Sequence, residues 1–174
     1  LWAEERKTGT LELLMTLPLT VTQAVLGKFA AAWIFAVVAL TLTFPLWVTV
    51  AYLGDPDHGV IVASYLGSAL LAGVYLAIGA CMSVLTKSQV IAFVLSVVVS
   101  FLFIVSGLPI VLDFVGALAP GWLTGAIAGL SVLTHFESLL AGVVNLTDVV
   151  YFVSLIAFWL FVNAVLVEAK KAAG

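Results

Sequence analysis

Two histidines stand near carboxylates in this chain, and they are the first places to look for chemistry. His135-x-Glu137 sets an imidazole and a carboxylate two residues apart. That pairing serves general acid–base work or, with further ligands, a metal ion. No further histidine lies nearby in sequence. A polar break on an extracytoplasmic helix is therefore the better reading, and an intramembrane enzyme using His135 and Glu137 ranks last. His58, beside Asp55 and Asp57, reads as a solvated turn. Cys81 is the single cysteine, so no disulfide framework or Cys-based zinc site forms within one chain. A phosphate-cradling GxxxxGK[ST] loop is absent, because Gly27-Lys28 lacks the upstream glycine and the following Ser or Thr. ATP is not bound by that route. No residue is assigned as catalytic, cofactor-binding or metal-binding. No basic-aromatic patch points to nucleic acid, and Asn145-Leu146-Thr147 is an acceptor sequon that matters only on a eukaryotic secretory route.

The elements around these residues are set by an uneven charge distribution. Glu4-Glu5-Arg6-Lys7-Thr8-Gly9-Thr10-Leu11-Glu12-Leu13-Leu14-Met15-Thr16-Leu17-Pro18 holds five charged residues within nine positions. Arg6 and Lys7 before Gly9 predict a helix C-terminus, where cations suit the dipole and Gly suits the left-handed cap. Thr10 then caps a new helix with Glu12 in its first turn. Leu11, Leu14 and Met15 share one face, Leu13 and Leu17 the neighbouring one. Pro18 ends it. About two turns of helix do not stand alone in water, so this segment needs a partner to dock against.

The rest of the chain is too apolar for a soluble globule. Of 174 residues, 64% are hydrophobic and 9% charged, against about a quarter charged in soluble domains. Mean hydropathy is +1.31. The expected fold is an all-α integral membrane protein with four transmembrane helices, over 29–53, 60–85, 90–112 and 149–167. Residues 1–20 form a cytoplasmic segment. Residues 113–147, broken by Pro120, Gly121, Gly125 and Gly129, form short extracytoplasmic or re-entrant helices. Pro45 predicts a kink in the first span. Thr20-x-x-Gln23 and Thr86-x-x-Gln89 match capping boxes, and Asn145 is placed to cap the last helix with Asp148 at its third position. Ser64, Ser68 and Ala72 form one small-residue stripe, and Ala69, Gly73, Ala77 and Cys81 another, both suited to close helix packing. Gly121, Gly125 and Gly129 make a GxxxGxxxG run, a weak motif in so short a stretch. Gln89, Ser96 and Ser100 share a face and either line a polar path or bond between helices. Asn163 is expected to face protein.

Arg6, Lys7, Lys28, Lys87, Lys170 and Lys171 are all the lysines and arginines. Four spans put them on one side, and the positive-inside rule makes that side cytoplasmic, with both chain ends there. The chain starts at Leu1 with acids close behind, which does not read as a signal peptide. It is expected to be a piece of a longer protein, with Leu1-Trp2 the tail of an earlier helix.

Glu4 to Thr20, followed by Gly27-Lys28-Phe29, resembles the signature of ABC transporter permeases of the ABC-2 exporter type, near the subgroup of gliding-motility permeases and the permease for nitrous-oxide-reductase maturation. His135-Phe136-Glu137-Ser138, Gly142-Val143 and Asp148 to Phe152 resemble the gliding-motility version of the C-terminal region. The resemblance implies spans three to six of a six-span permease in a bacterial or archaeal cytoplasmic membrane. It also implies that the helix after Thr10 is a coupling helix in a groove of a separate ABC ATPase subunit, which carries the ATP and Mg. Glu5, Arg6, Lys7, Thr10, Leu11, Glu12, Leu14 and Met15 would make that contact. A second permease chain, identical or not, would complete the pathway. The rival reading is a non-transporting membrane anchor or assembly subunit that docks a cytoplasmic partner.

Overall fold

The structure, a computed structural model, describes residues 2–8, 20–118 and 120–172. Among them every regular element is an α-helix. Helix α1 (Ala3–Thr8) carries Arg6 and Lys7 in its last described turn, and the Thr8 hydroxyl donates to the Glu4 carbonyl at 3.0 Å; the expected cap at Gly9 lies outside the described residues. The helix expected over Leu11–Leu17 falls in residues 9–19, outside the described residues.

Helices α2 (Val21–Thr41) and α3 (Phe44–Leu53) run through 33 residues as one candidate span. Thr20 caps α2 in a complete capping box: Gln23 N–H donates to Thr20 Oγ1 at 3.2 Å, and Thr20 N–H to Gln23 Oε1 at 3.0 Å. The break at Leu42 and Thr43 leaves Pro45 in the first turn of α3, where a missing N–H breaks no helical bond. Helix α4 (His58–Leu85) is capped by Asp57, which accepts from Gly59 N–H at 2.8 Å. Side-chain caps matter here because free amides are expensive at the edge of a bilayer.

Helix α5 (Gln89–Val105) differs from expectation at both ends. Its cap is Ser88, which accepts from Ile91 N–H, while Thr86 accepts from Ser88 N–H at 3.1 Å. The Thr86 capping box therefore does not form. At the far end the chain turns by 74° into α6 (Pro109–Leu118), so 90–112 is not one straight helix. Gly107 lies within the turn and lets it pack closely. A Cβ there would stand 1.9 Å from Ser131 Oγ and 2.6 Å from Ser131 Cβ, so only glycine admits this approach. Helices α7 (Gly121–Gly129) and α8 (Val132–Leu140) follow, bent by 56°. Helix α9 (Leu146–Ala172) closes the chain.

Three helices are long and apolar enough to cross a membrane, and up to five if each bent pair is one span. Helix α4 is the hub, touching α1, α2, α5, α8 and α9. Gly73 lets its neighbours close in: a Cβ there would lie 2.8 Å from Ile156 Cδ1 and 3.1 Å from Trp33 Nε1. Trp33 Nε1–H donates to the Ala69 carbonyl at 2.8 Å, across α2 and α4. The Ala69–Gly73–Ala77–Cys81 stripe is thus a packing face. Gly121, Gly125 and Gly129 have open space where a Cβ would go, so that GxxxGxxxG run packs nothing within the described residues. Asn163 is fully buried, as its polarity predicts, yet neither amide atom finds a partner among the described residues. Around this core, Phe35, Tyr52, Phe93, Phe101 and Phe161 point outward, an apolar exterior that suits lipid and not water.

Candidate functional site

Three places on this framework gather polar or concave structure. The first is the end of the bundle that carries the cations. Trp2, Val25, Val84 and Val167 form one buried cluster. It ties the start of α1, the start of α2, the end of α4 and the end of α9 together. Trp2 N–H donates to Ser83 Oγ at 3.0 Å, and that hydroxyl donates to the Ala80 carbonyl at 2.7 Å. Lys28 pairs with Glu5 and lies 4.5 Å from the centroid of the Trp2 ring. Lys28, Lys87, Lys170 and Lys171 therefore sit at the same end as α1. Among the expected contact residues, Glu5 is in the ion pair, Lys7 is exposed, and Arg6 belongs to α1 with its side chain outside the described part. Thr10, Leu11, Glu12, Leu14 and Met15 also lie outside the described residues.

The second place is at the opposite end, where α4 begins. Here α8 packs under the loop before α9. A Cβ on Gly67 would meet Leu139 Cβ at 3.1 Å and Phe136 at 3.3 Å. Gly67 is about 14 Å along α4 from His58 at 1.5 Å per residue, so α8 packs well along α4 and not only at its tip. His135 Nδ1 stands 2.7 Å from Asp148 Oδ1, across the two helices. The Ser138 hydroxyl and the Asn145 amide both donate to Asp148 Oδ2. Asp148 lies in the first turn of α9, where a negative charge suits the helix dipole. The His135 ring stacks on Tyr151 with centroids 4.0 Å apart, and the Tyr151 hydroxyl donates to the Leu130 carbonyl at 2.6 Å. Glu137 is exposed and is not part of this cluster. The sequence reading named His135 and missed its partner. Asp148 was read only as a capping residue, and Asn145 turns out to serve its carboxylate. The His135 and Ser138 bonds to Asp148 join α8 to α9, and the Tyr151 bond ties α9 to the turn before α8. Among the described residues no cluster of three or more metal-ligating side chains occurs.

The third place is a groove of about 700 Å³ along α4 and α5, closed at its sides by Ala36 of α2 and Ala3 of α1. Gln89, Ser96 and Ser100 all line it, as their shared face predicts. Ser96 does not bond between helices, however. Its hydroxyl donates to the Ala92 carbonyl of its own helix at 2.7 Å. A second cavity of about 620 Å³, at the cation-bearing end, is lined by Glu4, Lys7, Thr86, Lys87, Ser88, Gln89 and Val90.

Helices of this length and apolarity, with all the described cations at one end, are those of a multi-pass membrane protein. The family model described as ABC-2 family transporter protein matches residues 1–156. No curated protein and no solved structure matches the chain. The match covers α1 through the first turns of α9, including the groove and the His135–Asp148 junction, and the chain belongs to the ABC-2 family of transporter proteins.

Proposed function

We propose that this permease component exports its substrate using ATP hydrolysed by a separate ATPase subunit, docked at the cation-bearing end. The carrying observation is the way α1 is fixed to α4. The buried Trp2–Ser83 hydrogen bond and the Glu5–Lys28 ion pair hold the segment before residues 9–19 rigidly against the central helix. A push on the short helix expected at Leu11–Leu17 would then be borne by α4 rather than absorbed by a loose loop. Helix α4 runs to the other end, where Gly67 receives α8. One rigid element thus links the docking end to the re-entrant helices, which is the arrangement that mechanical coupling requires.

In this reading the docking end faces the cytoplasm, because all six Lys and Arg residues belong to it. Leu11, Leu14 and Met15 supply apolar contact with the ATPase; Arg6, Lys7 and Glu12 supply polar contact, while Glu5, expected among those contacts, is given the role of tying α1 to α2 through Lys28. A second permease chain completes the pathway, and α8 with its His135–Asp148 junction acts as the outer element.

The test joins two variants. Leu14→Asp is expected to abolish co-purification with the cognate ATPase. Glu5→Lys is expected to leave ATPase binding intact and to reduce ATP-driven transport in proteoliposomes, with recovery in the Glu5→Lys, Lys28→Glu double variant. Unchanged ATPase binding in Leu14→Asp removes this segment from coupling.

A further inference from the structure

The groove and the cavity beside it adjoin each other and differ in chemistry. They share Gln89, and Ala3 and Glu4 are neighbours on α1 that line one each. The groove walls are Ala72, Leu76, Gly79, Phe93, Val97 and Phe101. The Ser83 and Ser96 hydroxyl protons are already donated within their own helices, so this surface suits hydrocarbon better than a peptide or sugar. At the mouth the chemistry reverses. Lys7 and Lys87 line the second cavity, and among the described residues neither ammonium is paired with a carboxylate. Glu4 is the single acid in that lining, so the mouth carries a net positive charge.

Length decides what fits. Ala72 to Ser83 spans about 16 Å of helix at 1.5 Å per residue. One leaflet of a hydrocarbon core about 30 Å thick is about 15 Å deep. On α5 the lining runs further, from Gln89 to Ile104 or about 22 Å, so the groove is deep enough to reach from the cation-bearing end to the bilayer midplane and somewhat beyond. We propose that it holds an anionic phospholipid from the leaflet on the cation-bearing side, with one acyl chain along α4 and α5 and the headgroup phosphate at Lys7 and Lys87. The proposal shares Lys7 with the proposed ATPase contact and otherwise needs only that the chain spans a membrane; Lys87 lies outside that contact, so Lys87→Gln separates failure here from failure of the coupling role.

The experiment measures lipid binding to the delipidated complete complex by native mass spectrometry, with phosphatidylglycerol and phosphatidylcholine as probes. Phosphatidylglycerol is expected to bind more tightly, with roughly five-fold lost for each lysine replaced in Lys87→Gln and in Lys7→Gln, Lys87→Gln. Ser96→Phe, which fills the groove, is expected to weaken both lipids alike. Lys87 is exposed, and circular dichroism checks that its variant keeps the wild-type helix content. Equal binding of the two lipids overturns the proposal, as does a preference that survives both lysine replacements. Millimolar inorganic phosphate that abolishes the preference would show a free-anion site instead. Quantitative disulfide formation between copies of Ser96→Cys in native membranes would show that a second chain covers the groove, and would overturn it too.

Discussion

His135 and Asp148 are thirteen residues apart and lie on different helices, yet Nδ1 and Oδ1 stand 2.7 Å from each other. The Asp148 side chain is 8% exposed and accepts from Ser138 and Asn145 as well. This pair, rather than His135 with Glu137, holds α8 against the start of α9. Burial makes the junction consequential, because each donor left without its carboxylate pays its desolvation in full.

Asp148→Ala should therefore lower stability by about 2–3 kcal/mol, the range for losing hydrogen bonds to a charged group. His135→Phe keeps the ring on Tyr151 and should lose less. Glu137→Gln, at an exposed position, should stay within about 0.5 kcal/mol of wild type. Thermal unfolding in detergent orders the three. A Glu137→Gln loss equal to that of Asp148→Ala would contradict the assignment.

Gly107 and Ser131 make the second prediction. Gly107→Ala forces a Cβ into the Ser131 side chain, 1.9 Å from Oγ, and overpacking of this kind costs about 1–3 kcal/mol. Ser131→Gly loses the cap of α8 but clears the space. The double variant should be more stable than the sum of the two single losses predicts, by 0.5 kcal/mol or more. Simple additivity in a double-mutant cycle would show that the two residues do not meet.

Asn163 makes the third. Its amide is fully buried with no partner among the described residues. Asn163→Leu removes two unpaired polar atoms at nearly constant volume and should stabilise the chain by about 1 kcal/mol. A loss of stability on that substitution would mean that the amide is bonded in the assembled transporter.

The sequence by itself determined those features that depend on local sums. Runs such as Phe29–Gly54 and Val149–Val167 declare apolar helices, because transfer into hydrocarbon adds residue by residue. Thr20 and Gln23 announce a capping box because both partners lie within one turn. The family resemblance at Glu4–Thr20 was legible for the same reason, as a contiguous motif. What only the tertiary structure decided are contacts between elements distant in sequence. Ser88 displaced Thr86 as the cap of α5 through the geometry of a short turn. Ser131 reached Gly107, inside the bend after Val105. Asp148 took His135 from the nearer Glu137, since residues two apart on a helix do not face each other and Glu137 is exposed. The groove shows the same limit: Gln89, Ser96 and Ser100 were visible as one face of α5, but its depth, and its opening beside Lys7 and Lys87, depend on how α5 lies across α4. Helix propensity and hydropathy are carried along the chain, whereas the site chemistry is carried across it, by packing that no local pattern encodes.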